Sequence, residues 1–178
     1  MLALKIEQDP DSESPRLDEY TLGKMICFHS RYNLGDEHDI NVNDFNGWDE
    51  MKAHLIKNCD ADVILPLYLY DHSGITIATT PFSCPWDSGQ VGFIYMDRDT
   101  ILKEAPGNPK ILTPKAKAWA YDDLQSEVDT YDQYLRDDIW GYVIEDEDGK
   151  TVDSCWGIYG EDYCREAGQA ELDQLQQT

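Results

Sequence analysis

Basic residues are scarce in this sequence. Lys and Arg number 14 against 36 Asp and Glu, which gives a formal net charge of −22 and a pI of about 4.2. Binding to a nucleic-acid backbone depends on Lys and Arg, because these side chains displace the counterions that surround the phosphates. Anionic membrane surfaces attract proteins through the same two side chains. The composition therefore argues against nucleic acid and membrane lipid as direct partners.

Long apolar runs are missing as well. No stretch of the sequence approaches the roughly 18 apolar residues that a membrane-spanning helix requires. The first 20 residues also lack the basic segment and long apolar core of a secretory signal. We therefore expect the protein to reside in the cytoplasm.

Cysteine and histidine do not occur at the spacings of metal or redox motifs. The five Cys contain no CxxC pair, and the four His form no HExxH motif. Phosphate-binding glycine patterns are absent too. The sequence therefore predicts no metal site and no cofactor. We expect reduced thiols, with a disulfide between Cys155 and Cys164 as an open alternative.

Bulky aromatic side chains indicate a folded protein in spite of the high charge. The chain holds 11 Tyr and 5 Trp, which supply core-forming surface that disordered chains lack. Its 178 residues suit one domain. Because residues 7–19 are polar and contain two prolines, we expect an exposed acidic arm over 1–20 and a single α+β domain over 21–178.

Hydrophobic periodicity predicts an α+β fold whose sheet is mainly antiparallel, because the strands occur in hairpins rather than alternating with helices. The predicted strand regions are 63–80, 90–96 and 139–159. Apolar residues at three- and four-residue spacing after Thr113-Pro114 predict a long helix over 113–136.

Three shorter helices and two local features complete this prediction. The helices are expected over 48–58, 97–104 and 161–176, and Asn46 or Asp44 is expected to cap the first of them. Pro66 indicates that its strand lies at a sheet edge or bulges there.

The first candidate site is a set of carboxylates on the outer face of the long helix and in the hairpin that follows. Crowded like charges destabilise a compact fold, and acids at a helix C-terminus oppose the helix dipole, which suggests that another pressure retains them. Rows of carboxylates resemble duplex phosphates and would fit the basic groove of a nucleic-acid-binding protein. The predicted partner-binding residues are Asp122, Asp123, Glu127, Asp129, Asp132, Asp137, Asp138, Glu145, Asp146, Glu147 and Asp148.

Two other interpretations of the acidity stay open. The carboxylates can form a solvated face that serves solubility, or they can reflect adaptation to high salt. Lys exceeds Arg nine to five and large apolar residues are not depleted, which argues against the salt adaptation.

The second candidate site is the segment 71–90, which contains Cys84, His72 and Asp87. A thiol nucleophile needs a nearby base and a third group that orients this base, and these three residues supply the types. The alternative is structural, because Asp-His-Ser-Gly and Trp-Asp-Ser-Gly are both typical of tight turns and the thiol can fill a core.

Three stretches resemble a group of small acidic proteins carried by bacteriophages and mobile elements. They are LYLYDHSGITIATTPFSCPWDSGQVGFIY (67–95), SEVDTYDQYL (126–135) and DIWGYVIEDEDGKTVDSCWGIYG (138–160). The resemblance carries over no residue-level functional motif. It implies a setting in which small acidic proteins serve as anti-CRISPR or anti-restriction factors.

These observations lead to one hypothesis and two alternatives. We expect a non-enzymatic anti-defence inhibitor in the host cytoplasm, whose acidic surface binds a basic nucleic-acid-binding protein such as a CRISPR effector or a restriction enzyme. The first alternative is a small enzyme, such as a cysteine hydrolase, that uses the loops of 71–90. The second is a phage interaction domain without a defence role, and the oligomeric state is left open.

Overall fold

The computed structural model describes residues 2–177 and confirms the α+β class, with every strand pair antiparallel. The strands form two sheets rather than one. In chain order the elements are β1 (Ala3–Gln8), β2 (Lys24–Cys27), α1 (Trp48–Asn58), β3 (Ala61–Asp71), β4 (Ile75–Ala78), β5 (Ser88–Asp97), α2 (Arg98–Glu104), α3 (Pro114–Leu135), β6 (Ile139–Glu145), β7 (Thr151–Tyr159) and α4 (Glu161–Gln176).

The chain divides into two compact units. The mid-chain unit comprises Arg16–Tyr131, and the terminal unit comprises the residues up to Pro15 together with those from Asp132 onward. The single domain expected over 21–178 stays a prediction.

The sheet of the mid-chain unit has the strand order β2-β5-β3-β4. One cluster of its core joins α1 to the sheet, where Met51 and Leu55 pack with Phe93 and Tyr95. The rings of Trp48 and Phe93 meet edge to face at 5.9 Å, a geometry that aromatic pairs favour. This core packs α1 against the part of the sheet where β3 begins and β5 ends.

Pro66 lies opposite Phe93 in the ladder between β3 and β5. β4 pairs only with Tyr68–Asp71, so the earlier part of β3 has a single neighbouring strand, and the register shifts between Leu67 and Tyr68. The edge or bulge that proline predicts is therefore confirmed, because a residue without an N–H fits where a ladder is open.

The terminal unit is a three-stranded sheet of order β1-β6-β7 with α4 packed on it. Tyr142 and Ile144 of β6 pack with Cys164 and Leu172 of α4 in its core. All five cysteines are free thiols, so the disulfide between Cys155 and Cys164 is not formed.

The N-terminal segment requires a correction. Part of the arm predicted over 1–20 is strand β1, which pairs with β6 from Ala3 opposite Glu145 to Gln8 opposite Trp140. Leu4 and Ile6 alternate with polar residues and pack against the core of the terminal unit, which explains the strand. The polar surroundings of this short alternation concealed it in the sequence.

The start of α1 is also capped differently from the prediction. Gly47 is the N-cap residue and makes no side-chain cap bond, so neither Asn46 nor Asp44 takes that role. Instead, Glu50 Oε2 accepts a hydrogen bond of 2.7 Å from the backbone N–H of Asn46. Asp97 is the N-cap residue of α2, and its Oδ1 accepts a hydrogen bond of 2.9 Å from the N–H of Thr100.

Within residues 2–177, no helix has the combination of length and apolar character needed to cross a membrane.

Candidate functional site

The outer face of α3 in the mid-chain unit carries two exposed carboxylates, Asp122 and Asp129. The helix starts where predicted, because Thr113 Oγ1 accepts from the N–H of Ala116 at 3.1 Å. Its apolar side is buried, which turns the acids outward; the buried residues are Ala116, Ala120, Leu124, Val128 and Tyr131. Neither Asp122 nor Asp129 forms an ion pair among the described residues.

Glu127 occupies a different position from the one predicted. Its side chain is only 12% exposed, and its Oε1 accepts from the backbone N–H groups of Leu22 at 2.7 Å and Gly23 at 2.8 Å. Its Oε2 pairs with the guanidinium of Arg16. The expectation that Glu127 belongs to an exposed acidic face is therefore wrong, because this carboxylate is committed to contacts within the unit.

Arg16 is the centre of this buried network. Its side chain is 3% exposed and donates to both carboxylate oxygens of Asp36, at 2.8 and 3.0 Å, and to the carbonyl of Gly23 at 2.6 Å. Burial disfavours the charged guanidinium, but the hydrogen bonds to Asp36 and Glu127 outweigh it and raise the pKa of Arg16. The network satisfies a buried cation with two carboxylates, which identifies it as structural.

Asp123 is partly buried beside this network. Burial raises the pKa of its carboxyl, and the nearby negative charge of Glu127 raises it further. Its charge is therefore less readily available to a partner than those of Asp122 and Asp129.

The predicted acids at the end of α3 are partly engaged within the terminal unit. Asp132 pairs with Arg136 at 2.9 Å, and Asp138 accepts from Trp140 Nε1 at 2.8 Å. Asp137 is exposed and has a positive φ of 55°, which places it at the left-handed position that ends the helix. The outward carboxylate at this point is therefore that of Asp137.

The acids of the β6–β7 hairpin have several separate roles. Glu145 pairs with Lys5 at 2.6 Å. Asp146 Oδ1 accepts from the N–H groups of Asp148 and Lys150, both at 3.0 Å, and so holds the turn. The side chains of Glu147 and Asp148 are exposed at its tip.

The structure adds carboxylates that the sequence analysis missed. Asp162, Glu166 and Asp173 are exposed on α4 and are separated by four and seven residues, which places them on one side of the helix. Of the three, Asp173 accepts from Gln169 Nε2 at 2.7 Å, and none has an ion pair among the described residues. The same spacing was visible in the sequence, where the predominantly polar character of the helix concealed it.

The three residues of the second candidate site do lie together. Cys84 Sγ donates to Asp87 Oδ2 at 3.5 Å, and the same oxygen lies 3.5 Å from His72 Nδ1. The carboxylate is therefore central, and the thiol faces an acid instead of the imidazole base that a nucleophile requires. This arrangement favours the structural interpretation of the loop.

An exposed tryptophan accompanies this loop. Trp86 is 92% exposed and lies on the rim of a cleft of about 390 Å³ at the sheet end where β3 finishes and β5 begins. Arg31 and Asp71 also line the cleft and pair with each other, and Asp71 accepts a hydrogen bond from Tyr32 Oη at 3.3 Å.

A larger cleft of about 780 Å³ lies near the start of α2, and several of its charged side chains are engaged in ion pairs, whereas the exposed Asp60 and Asp99 also line it. Asp62 accepts from Arg98 at 2.7 Å and from Lys117 at 3.2 Å, and Lys24 lies 3.3 Å from Asp97. The hydrogen bond from Arg98 is the main cause of the lowered pKa of Asp62.

In the described part of the chain, no group of three or more His, Cys, Asp or Glu residues has an arrangement that could hold a metal ion. Comparison of the chain with protein-family models, curated proteins and solved structures finds no match.

Proposed function

We propose that the protein is a non-enzymatic anti-defence inhibitor that binds a basic nucleic-acid-binding protein, such as a CRISPR effector or a restriction enzyme. The observation that carries this proposal is a set of exposed carboxylates on two helices that form no ion pair with any residue of 2–177. On α3 these are Asp122 and Asp129, and on α4 they are Asp162, Glu166 and Asp173. The net charge of −22 adds a long-range attraction for a basic surface.

The helical scaffold supports a resemblance to a phosphate backbone. Asp122 and Asp129 are seven residues apart, which corresponds to about 10.5 Å along a helix axis. Glu166 and Asp173 have the same separation. Because both pairs are held on folded helices, binding to a basic groove requires little ordering of the backbone. Complementary charge of this kind accelerates association and makes it sensitive to salt.

The test is retention of purified CRISPR effectors and restriction enzymes on the immobilised protein, at low and high salt, with and without duplex DNA. We expect at least one basic enzyme to be retained at low salt and released by DNA, with loss of its nuclease activity. Retention that ignores DNA would contradict binding in the nucleic-acid groove. Absence of retention across the panel would overturn the proposal.

Matched variants connect this result to the two helices. Asp122→Asn with Asp129→Asn removes two charges from α3, and Glu166→Gln with Asp173→Asn removes two from α4. The control, Glu19→Gln with Glu37→Gln, removes two exposed charges that lie on neither helix. We expect about tenfold weaker binding for at least one helix pair, from about 1 kcal/mol or less per lost charge contact, and little change for the control.

The alternative of an interaction domain without a defence role makes a different prediction in the same assay. Such a domain would bind a partner and leave nuclease activity intact. The cysteine hydrolase is not carried forward as a second function, because Asp87 and not His72 faces the thiol of Cys84.

A further inference from the structure

The loop between β4 and β5 is stabilised by several hydrogen bonds and exposes the indole of Trp86 to solvent. Trp86 is 92% exposed, although large aromatic side chains normally gain from burial. Ser88 Oγ donates to the carbonyl of Cys84 at 2.5 Å, and the thiol of Cys84 donates to Asp87. The N–H of Asp71 donates to the carbonyl of Asp87 at 2.8 Å. The loop is thus ordered before any ligand arrives, which reduces the entropy that binding must overcome.

The cleft beside Trp86 is lined by both apolar and polar residues. Phe28, Leu69 and Val91 contribute apolar surface, and Trp86 and Asp87 also line the cleft. Its volume of about 390 Å³ is sufficient for one large side chain of a partner.

The charges around the cleft favour a cationic occupant. The side chain of Asp87 is 40% exposed, and its contacts are the thiol of Cys84 and the ring of His72. Among the described residues it forms no ion pair with Lys or Arg. Arg31 is already paired with Asp71, so Asp87 is a carboxylate of the cleft that, among the described residues, has no Lys or Arg partner.

We propose that this cleft binds an arginine side chain of a protein. The guanidinium stacks on the indole face of Trp86 and donates to the carboxylate of Asp87. Arginine suits the site better than lysine, because its planar group can stack on an aromatic ring and donate in the same plane. The assignment of this arginine to the basic partner protein rests on the proposed function. The recognition of a guanidinium group by the cleft is independent of it.

The experiment follows the indole N–H resonances of the full chain during titration with N-acetyl-arginine amide. The neutral isostere N-acetyl-citrulline amide is the charge control. Trp86→Ala identifies the resonance of Trp86, and the half-exposed Trp156 of the terminal unit serves as an internal reference.

We expect a saturable shift of the Trp86 resonance with the arginine amide and none with the citrulline amide, while Trp156 stays unchanged. Asp87→Asn keeps an oxygen acceptor for the thiol and removes the charge, so it should weaken binding about fivefold. Equal shifts with both amides, no shift with either, or unchanged affinity in Asp87→Asn would each overturn the inference. A shift produced by a neutral monosaccharide alone would identify the cleft as a sugar site and overturn it too.

The retention assay separates this inference from the proposed function. If wild type and Trp86→Ala retain a basic enzyme equally and the titration shows no shift, the inference fails and the proposed function stands. If the titration succeeds and wild type retains no basic enzyme, the proposed function fails and the arginine site stands.

Discussion

Arg16 and Glu127 are separated by 111 positions in the chain and meet as a buried ion pair in the mid-chain unit. The carboxylate of Glu127 also accepts two backbone N–H groups, those of Leu22 and Gly23. Through these contacts α3 fixes the segment that leads into β2. A residue that appears from its sequence to belong to a binding surface therefore stabilises the fold.

Replacement of Arg16 by Met should destabilise the protein by about 3–5 kcal/mol, because it leaves the largely buried carboxylate of Glu127 and the partly buried carboxylate of Asp36 without their cation. Urea unfolding measures the loss. Arg98→Met is the matched control, since Arg98 pairs with Asp62 but is 61% exposed, and we expect a change below about 1 kcal/mol there. Equal effects of the two substitutions would contradict the structural role of Arg16.

Stability should depend on pH through Asp62. Its pKa is lowered, mainly by the hydrogen bond from Arg98 and then by that from Lys117. A lowered folded-state pKa contributes stability above the unfolded-state value of about 3.9 and loses it as the pH falls through the folded-state value. Asp62→Asn should therefore be less stable than wild type near neutral pH, with the difference shrinking in acid. Urea titrations at several pH values measure this, and a difference independent of pH would refute it.

The pair with Arg98 provides the control for this prediction. In the Arg98→Met background, Asp62→Asn should show a smaller difference near neutral pH, because the main cause of the lowered pKa is gone. An unchanged difference would assign the effect to Lys117 instead.

In the native protein, Cys155 should react with a thiol reagent before the other cysteines, because it is the one classed as exposed. Burial raises the pKa of the Cys27 thiol to about 12 and also raises that of Cys164, so both should react last. Mass spectrometry after brief alkylation measures the order. Labelling of Cys84 well ahead of Cys155 would restore the cysteine hydrolase as a hypothesis.

Gly168→Ala should destabilise the terminal unit by up to about 2 kcal/mol, although alanine favours helices over glycine by about 1 kcal/mol. The added methyl would lie 2.8 Å from Leu4 Cδ1 and 2.9 Å from Tyr142 Cβ. These contacts are too short, so α4 or the side chains of the sheet beneath it must shift. Thermal unfolding measures the effect. Gln169→Ala, at an exposed position of the same helix, should change stability by less than about 0.5 kcal/mol. A stabilised Gly168→Ala would show that the interface accommodates the methyl.

Local patterns predicted most of the secondary structure. The helix over Trp48–Asn58, the strand over Thr151–Tyr159 and the last helix have the predicted bounds, because periodicity and turn residues determine them within a few neighbouring positions. β1 was missed because its pairing with β6 joins residues more than 130 positions apart, a relationship that no local pattern contains. The division into two sheets depends on the same long-range pairing.

The candidate sites were predictable only in part, for a related reason. Helical spacing correctly placed Asp122 and Asp129 on the outer side of α3. The same spacing placed Glu127 on that side as well, which is wrong. Burial of this carboxylate depends on a cation far away in the chain, Arg16, and helical spacing cannot reveal it. Residue types placed Cys84, His72 and Asp87 together, but they carry no information on which side chain lies between the other two.

Proline at position 66 has a consequence for how this protein behaves at high concentration. Fibril growth by strand addition requires an unbroken series of main-chain donors along an open sheet margin. Within the part of the chain that the structure describes, β3 before Tyr68 pairs with no strand on the side of β4, and Pro66 in that stretch has no N–H to donate. A strand that added to this edge of the sheet would lack a hydrogen-bond donor at position 66. We therefore expect Pro66 to disfavour the pairing of β3 with further copies of the chain.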